Sequence, residues 1–170
     1  MNGETQIQVI EQKMGTLISA EPDLFLVEVK IKPANNIKIF IDGDQGISIE
    51  KLVQYNRRLY KEIEEDNMFP GGDFSLEVSS PGLDESLKLH RQYLKNIDRF
   101  VEVTEMDEAK KEGKLINVTE TGIVIEEIKA RLTGKNKNKE VGQGKGKKME
   151  TVQHTISFDN IKTTKIQIKF

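Results

Sequence analysis

The chain has 170 residues, with 26 Lys and Arg against 28 Asp and Glu, two His, and neither Cys nor Trp. That length allows one ordinary domain or two small ones, and 36% apolar with 32% charged residues is polar without being depleted enough to be disordered. The missing cysteines exclude a disulfide framework, a thiolate zinc site and a Cys nucleophile. No window reaches the roughly 18 apolar residues of a membrane span, and residues 1–13 lack the pattern of a signal peptide, so a soluble, cytoplasmic protein without membrane partners is expected.

Ile7, Ile10, Met14, Leu17 and Ile18 recur at helical spacing and predict a first helix, which dies at Glu21-Pro22. Val27, Val29 and Ile31 alternate with Glu28, Lys30 and Lys32, the pattern of a strand with one face inward. After a turn at Pro33-Ala34-Asn35-Asn36, Ile37, Ile39 and Ile41 alternate with Lys38 and Phe40, which suits an antiparallel hairpin partner. Ser48 is placed to N-cap a second helix, with Ile49, Leu52, Val53, Leu59, Tyr60 and Ile63 on one side. That helix is expected to fray through Glu64-Glu65-Asp66-Asn67 before Pro70-Gly71-Gly72. Phe74, Leu76 and Val78 make a third strand, so two helices can cover one face of three strands.

Ser80-Pro81-Gly82 then breaks the pattern. Proline fixes φ at one turn position and glycine accepts a positive φ at the next, which places Gly82 in the left-handed region. The organisation expected is a 1–80 α/β domain (αββαβ), an 81–85 linker carrying that interdomain turn, and an 86–170 β domain. In the latter, Leu87, Leu89, Tyr93 and Leu94 suggest a short helix or irregular segment. Short strands follow at Phe100–Val103, Leu115–Val118, Ile123–Ile125, Thr155–Phe158 and Ile166–Ile168, with a 3₁₀ turn at Asp159-Asn160-Ile161. Five short strands in about 70 residues look like a small closed barrel. The fold class is α+β.

Charge divides with the domains. Residues 1–84 hold 8 Lys and Arg against 15 Asp and Glu, a net of −7, and residues 85–170 a net of +5. The positive excess concentrates in 129–150, where eight cations face Glu140 and Glu150, a net of +6 among four glycines. Such a segment buries too little to offset the entropy of ordering itself, and it reads as a mobile basic hairpin loop. Lys135, Lys137, Lys139, Lys145, Lys147 and Lys148 are its candidate phosphate contacts. With no aromatic side chain in the loop, it would grip phosphate without reading bases.

Signals for catalysis are weak. His90 and His154 lie 64 positions apart in no shared motif, so no His-based metal or triad site is expected. Asp42-Gly43-Asp44-Gln45-Gly46 is like the start of a calcium loop, but the position of its bidentate acid falls on Val53. Gly43–Gly46 also spells the G-x-x-G of KH modules, yet it follows a strand and carries acids that repel phosphate. A plain turn delivering the chain to Ser48 accounts for the tract. The acid run Glu62, Glu64, Glu65 and Asp66 sits at a helix end where the dipole disfavours it, so it is either a solvated end or the contact for a basic partner. No catalytic residue, metal ligand or cofactor site is assigned.

Leu76-Glu77-Val78-Ser79-Ser80-Pro81-Gly82-Leu83-Asp84 resembles the ribosome maturation factor RimP family. Ile39-Phe40-Ile41-Asp42, Gly46-Ile47-Ser48-Ile49-Glu50, Leu87 and His90 to Tyr93 match its pattern in order and spacing, over most of 1–128 and 152–170. The resemblance implies an α/β N-terminal domain and a C-terminal SH3-like (Sm-like) barrel. It implies a monomeric, non-enzymatic cytoplasmic factor that binds the small (30S) ribosomal subunit during late assembly, its partners being rRNA and a ribosomal protein near the decoding centre. Two features differ from the family: Glu85-Ser86-Leu87 stands where Arg-Pro-Leu is usual, and 129–150 is longer and more basic than the usual hairpin. The alternative readings are an Sm-like regulator acting on free RNA and a metal-dependent phosphotransferase using Asp42 and Asp44.

Overall fold

The computed structural model describes residues 2–130 and 149–168. It divides the chain into two compact units, Met1–Arg91 and Gln92–Phe170. The first contains α1 (Gly3–Ile18), β1 (Leu24–Lys32), β2 (Asn36–Gly43), α2 (Ile49–Glu65) and β3 (Ser75–Ser79). β1 and β2 pair antiparallel, β2 and β3 parallel, in the order β1-β2-β3. A parallel neighbour needs a crossover, and α2 supplies it. Ile37, Ile39 and Ile41 of β2 are fully buried against Ile10 and Met14 of α1 and Leu59 and Ile63 of α2. Lys30, Lys38 and Phe40 lie on the other face of the sheet, with Lys30 over the Phe40 ring and Lys38 ion-paired to Glu77.

Three residues, Pro33 to Asn35, connect the paired Lys32 and Asn36, and Ala34 and Asn35 hold φ +66° and +55°, in the left-handed region. Alanine pays for that conformation with its Cβ, whereas glycine does not. Ala34→Gly should therefore raise stability by about 0.5–1 kcal/mol in urea unfolding, and an unchanged midpoint would mean that the turn relaxes in solution.

Three sequence-based expectations for this unit are corrected. A bulge between Leu26 and Glu28 shifts the register of β1, so Leu26, Val29 and Ile31 pack on the core and Val27 does not. On α2 the buried face is Leu52, Tyr55, Leu59 and Ile63, while Ile49, Val53 and Tyr60 lie on an exposed face. The end of α2 does not fray. Asn67 adopts φ +48°, its N–H reaches the Glu64 carbonyl at 3.1 Å, and the Met68 N–H reaches Ile63 at 3.3 Å. This pair of bonds is a Schellman closure, and it turns Met68 and Phe69 into the core. The Ser48 cap stands as expected, accepting from the Lys51 N–H at 3.3 Å.

The second unit begins within α3 (His90–Lys95) and contains β4 (Phe100–Glu105), β5 (Lys110–Val118), β6 (Gly122–Ala130) and β7 (Met149–Ser157). A 3₁₀ turn (Phe158–Asn160) then leads into β8 (Ile161–Ile166). The strands form one antiparallel sheet in the order β7-β6-β5-β4-β8. Val101, Val103, Leu115, Ile123 and Ile125 are fully buried. The last strand starts earlier than Ile166, because Thr163, Thr164 and Lys165 extend the ladder with β4 although their side chains give no apolar alternation. Tyr93 donates to Thr164 at 2.9 Å and meets Phe158 edge-on, with centroids 5.2 Å apart. Burial pushes the Tyr93 hydroxyl pKa up, and that hydrogen bond pulls it back. Leu94, on the same short helix, is exposed.

Candidate functional site

The loop between β2 and α2 carries the Asp42–Gly46 tract. The Gly46 N–H donates to the Gly43 carbonyl at 2.9 Å, and Gly46 holds φ +82°. A Cβ on Gly43 would stand 2.3 Å from the Gly46 carbonyl oxygen, so only glycine closes this turn. Asp42 Oδ1 accepts from the Gly43 N–H at 2.9 Å. The Arg91 guanidinium grips Asp44 with two bonds of 2.7 Å, donates to the Pro22 carbonyl at 2.7 Å, and lies 4.7 Å from the Phe25 ring centroid. Asp44 thus serves as the anchor of Arg91. Among the described residues, no group of three or more His, Asp or Glu is placed to hold a metal ion.

Beside it, Glu21 accepts from both Lys51 and the Tyr55 hydroxyl. Those bonds hold the Glu21 carboxyl below its usual pKa, Lys51 contributing most. Burial, helped by the bond to Glu21, pushes Tyr55 up to about 12. These groups anchor the start of α2 to the α1–β1 turn.

The segment after β3 does not follow the turn expected for it. The only hydrogen-bonded turn described there starts at Gly82, whose carbonyl accepts from the Glu85 N–H at 3.1 Å, with Leu83 and Asp84 as its central residues. The first position of such a turn needs no positive φ, and Gly82 lies outside the left-handed region with open space around its missing Cβ. Gly82→Ala should therefore stay within about 0.5 kcal/mol of the parent; a larger loss in melting would restore glycine's special role there. Downstream, Glu85 faces Lys30 at 3.9 Å and Lys88 faces Glu28 at 3.5 Å. With Arg91, these pairs bind 85–91 along the first unit.

Arg91 was invisible as an anchor in the sequence, where it is one of 26 cations. Lysine could not reproduce its two-pronged bond. Arg91→Lys should lower the melting temperature measurably, and adding Asp44→Asn should lower it little further, because the pair is already broken. Additive losses in that double-variant cycle would mean that the two residues act independently.

In the second unit, His154 Nε2 is 2.8 Å from Glu127, and His90 in the first is exposed. Glu105 is buried, with its carboxylate held by Lys111 and by Asn160 at 3.0 Å. Lys135, Lys137, Lys139, Lys145, Lys147 and Lys148 lie outside the described residues.

The model of the RimP N-terminal domain matches residues 16–84, which include β1 through β3 and the Leu76–Asp84 run. A protein of Christiangramia forsetii named ribosome maturation factor RimP is 34% identical over 164 residues, covering 95% of this chain and 97% of that protein. Proteins of the same name from Porphyromonas gingivalis (34% identical, 82% of this chain and 84% of that protein) and Flavobacterium psychrophilum (32%, 78% and 77%) are similar across both units. Likeness at this level over nearly the full length leaves one assignment: the chain belongs to the ribosome maturation factor RimP family.

Proposed function

We propose that this protein is a non-catalytic assembly factor that binds the small ribosomal subunit in the cytoplasm, as a monomer, during its late maturation. The observation that carries the reading is the 34% identity to a ribosome maturation factor over 95% of the chain. The engagement of Asp44 by Arg91 supports a structural role for the one acidic tract that suggested chemistry. The strand order β7-β6-β5-β4-β8, with a 3₁₀ turn before the last strand, supports an SH3-like barrel for the second unit. On this reading rRNA meets the basic segment 129–150 through phosphate, and a ribosomal protein near the decoding centre is the other partner.

The test is sedimentation of cell extract through sucrose under conditions that separate free subunits from polysomes. The protein should travel with free small subunits and be absent from polysomes. Spread over every RNA-containing fraction would instead favour an RNA-binding regulator.

A further inference from the structure

The Schellman closure of α2 leaves a cleft of about 290 Å³ in the first unit, lined by Tyr60, Ile63, Glu64, Asn67, Phe69, Asp73 and Phe74 among others. Its wall is aromatic: Phe74 lies 4.6 Å from Tyr60 and 5.4 Å from Phe69, centroid to centroid. Its rim is acidic. Glu62 and Asp66 are engaged by Lys13, and Glu65 by Lys61, but the exposed Glu64 and Asp73 carboxylates have no ion pair among the described residues. The last turn of α2 carries no basic side chain, so the negative end of the helix adds to the same field. Four acids in five residues at a helix C-terminus cost the isolated fold stability, and a cation seated there would relieve that cost.

We propose that this cleft docks an arginine- or lysine-rich polypeptide segment and holds one cationic side chain against Tyr60 and Phe74 beneath Glu64 and Asp73. Three properties of the cleft fit that occupant. Aromatic faces attract guanidinium and ammonium groups. The volume is at the low end for ligand sites and suits a side chain rather than a cofactor. Ile49 and Val53 share the Tyr60 face of α2 at i, i+4 and i+11 and are exposed, giving apolar cover to the rest of the segment. The negative field that attracts a basic polypeptide repels an RNA backbone. That the segment belongs to a protein component of the subunit rests on the assembly reading above; its capture by the cleft does not.

The probe is a twelve-residue peptide of alternating arginine and glycine, titrated into the ¹⁵N-labelled full chain. Amide shifts should concentrate between residues 60 and 74. Glu64→Gln with Asp73→Asn, both exposed and neither needed for folding, should weaken the peptide about threefold to tenfold, two exposed ion pairs' worth. Tyr60→Leu should weaken it again at an unchanged fold. Shifts scattered over other acidic surfaces, equal affinity in the double variant, or shifts at 60–74 produced by a twelve-residue oligouridylate instead would overturn the proposal. So would concentration-dependent shifts there without peptide, which would mean that a second copy of the chain is the occupant. Sedimentation of the same proteins separates the two readings. Loss of subunit binding with peptide capture intact would refute the assembly role, and subunit binding without peptide capture would refute the cleft.

Discussion

Gly122→Ala should destabilise the protein by about 3 kcal/mol, the largest stability effect expected of any single methyl group added to the second unit. Gly122 opens β6 opposite Ser157. A Cβ there would stand 2.4 Å from the Ile156 carbonyl oxygen and 3.1 Å from the Ser157 Cα. Both obstacles are backbone, so no side-chain rotation relieves the clash. The glycine is also fixed from its own side: its carbonyl accepts from the Thr119 N–H at 2.8 Å, and its N–H donates to the Thr119 hydroxyl at 3.1 Å. The ladder must therefore separate at the mouth of β6–β7, beside the buried Ile123 and Ile156.

With a denaturant slope of about 2 kcal/mol/M, the urea midpoint followed by circular dichroism should fall by about 1.5 M. Gly15→Ala is the matching control. Gly15 lies inside α1 with open space around it, and alanine there should stabilise by about 0.5–1 kcal/mol. Equal midpoints for Gly122→Ala and the parent would mean that the β5–β6 turn opens without cost.

The elements readable in the sequence are those whose signal is local. Ile7 to Ile18 and the alternating isoleucines of β2 repeat with the period of the structure they form, and Ser48 caps through its own neighbour three residues on. Errors arise where one residue's position depends on a distant partner. The bulge at Val27 is set by pairing with β2, and it changes which of three adjacent apolar residues faces inward. Ile49 and Val53 fit a helical face as well as Leu52 and Tyr55 do, and only the sheet below decides which face it buries. At Gly82 the residue types of a turn were present, but the chain turned two positions later, where Leu83 and Asp84 occupy its centre.

The candidate sites were legible as composition and not as geometry. The acid run of α2 reads in sequence as either a solvated helix end or the contact for a basic partner, while its cleft is made by Asn67 at positive φ and by Phe69 and Phe74 returning beside Tyr60. Asparagine's tolerance of the left-handed region was the available signal for that closure. Arg91 offers none, since its partners Asp44, Pro22 and Phe25 are 47 to 69 positions away.

If the protein binds the small subunit as proposed, replacing residues 134–148 by a short Gly/Ser turn should weaken that binding most at low salt. The expectation follows from charge alone: Lys135, Lys137, Lys139, Lys145, Lys147 and Lys148 add six cations with one acid, Glu140, between them. Each phosphate neutralised releases condensed counterions and contributes roughly −0.7 to −0.9 to the slope of log affinity against log salt. If three or four of the six engage, the parent's slope is steeper than the variant's by about 3. Between 50 and 200 mM salt the parent would then lose about 60-fold more affinity than the shortened chain. The strands of the second unit should be unaffected, because β6 and β7 pair through Ala130 and Met149, outside the replaced residues, and shortening a connection changes closure entropy only slightly. At high salt the two proteins should bind alike, since what remains is contact made by the folded units. Parallel salt plots with equal intercepts would mean that the six lysines touch no phosphate and that their charge serves solubility instead.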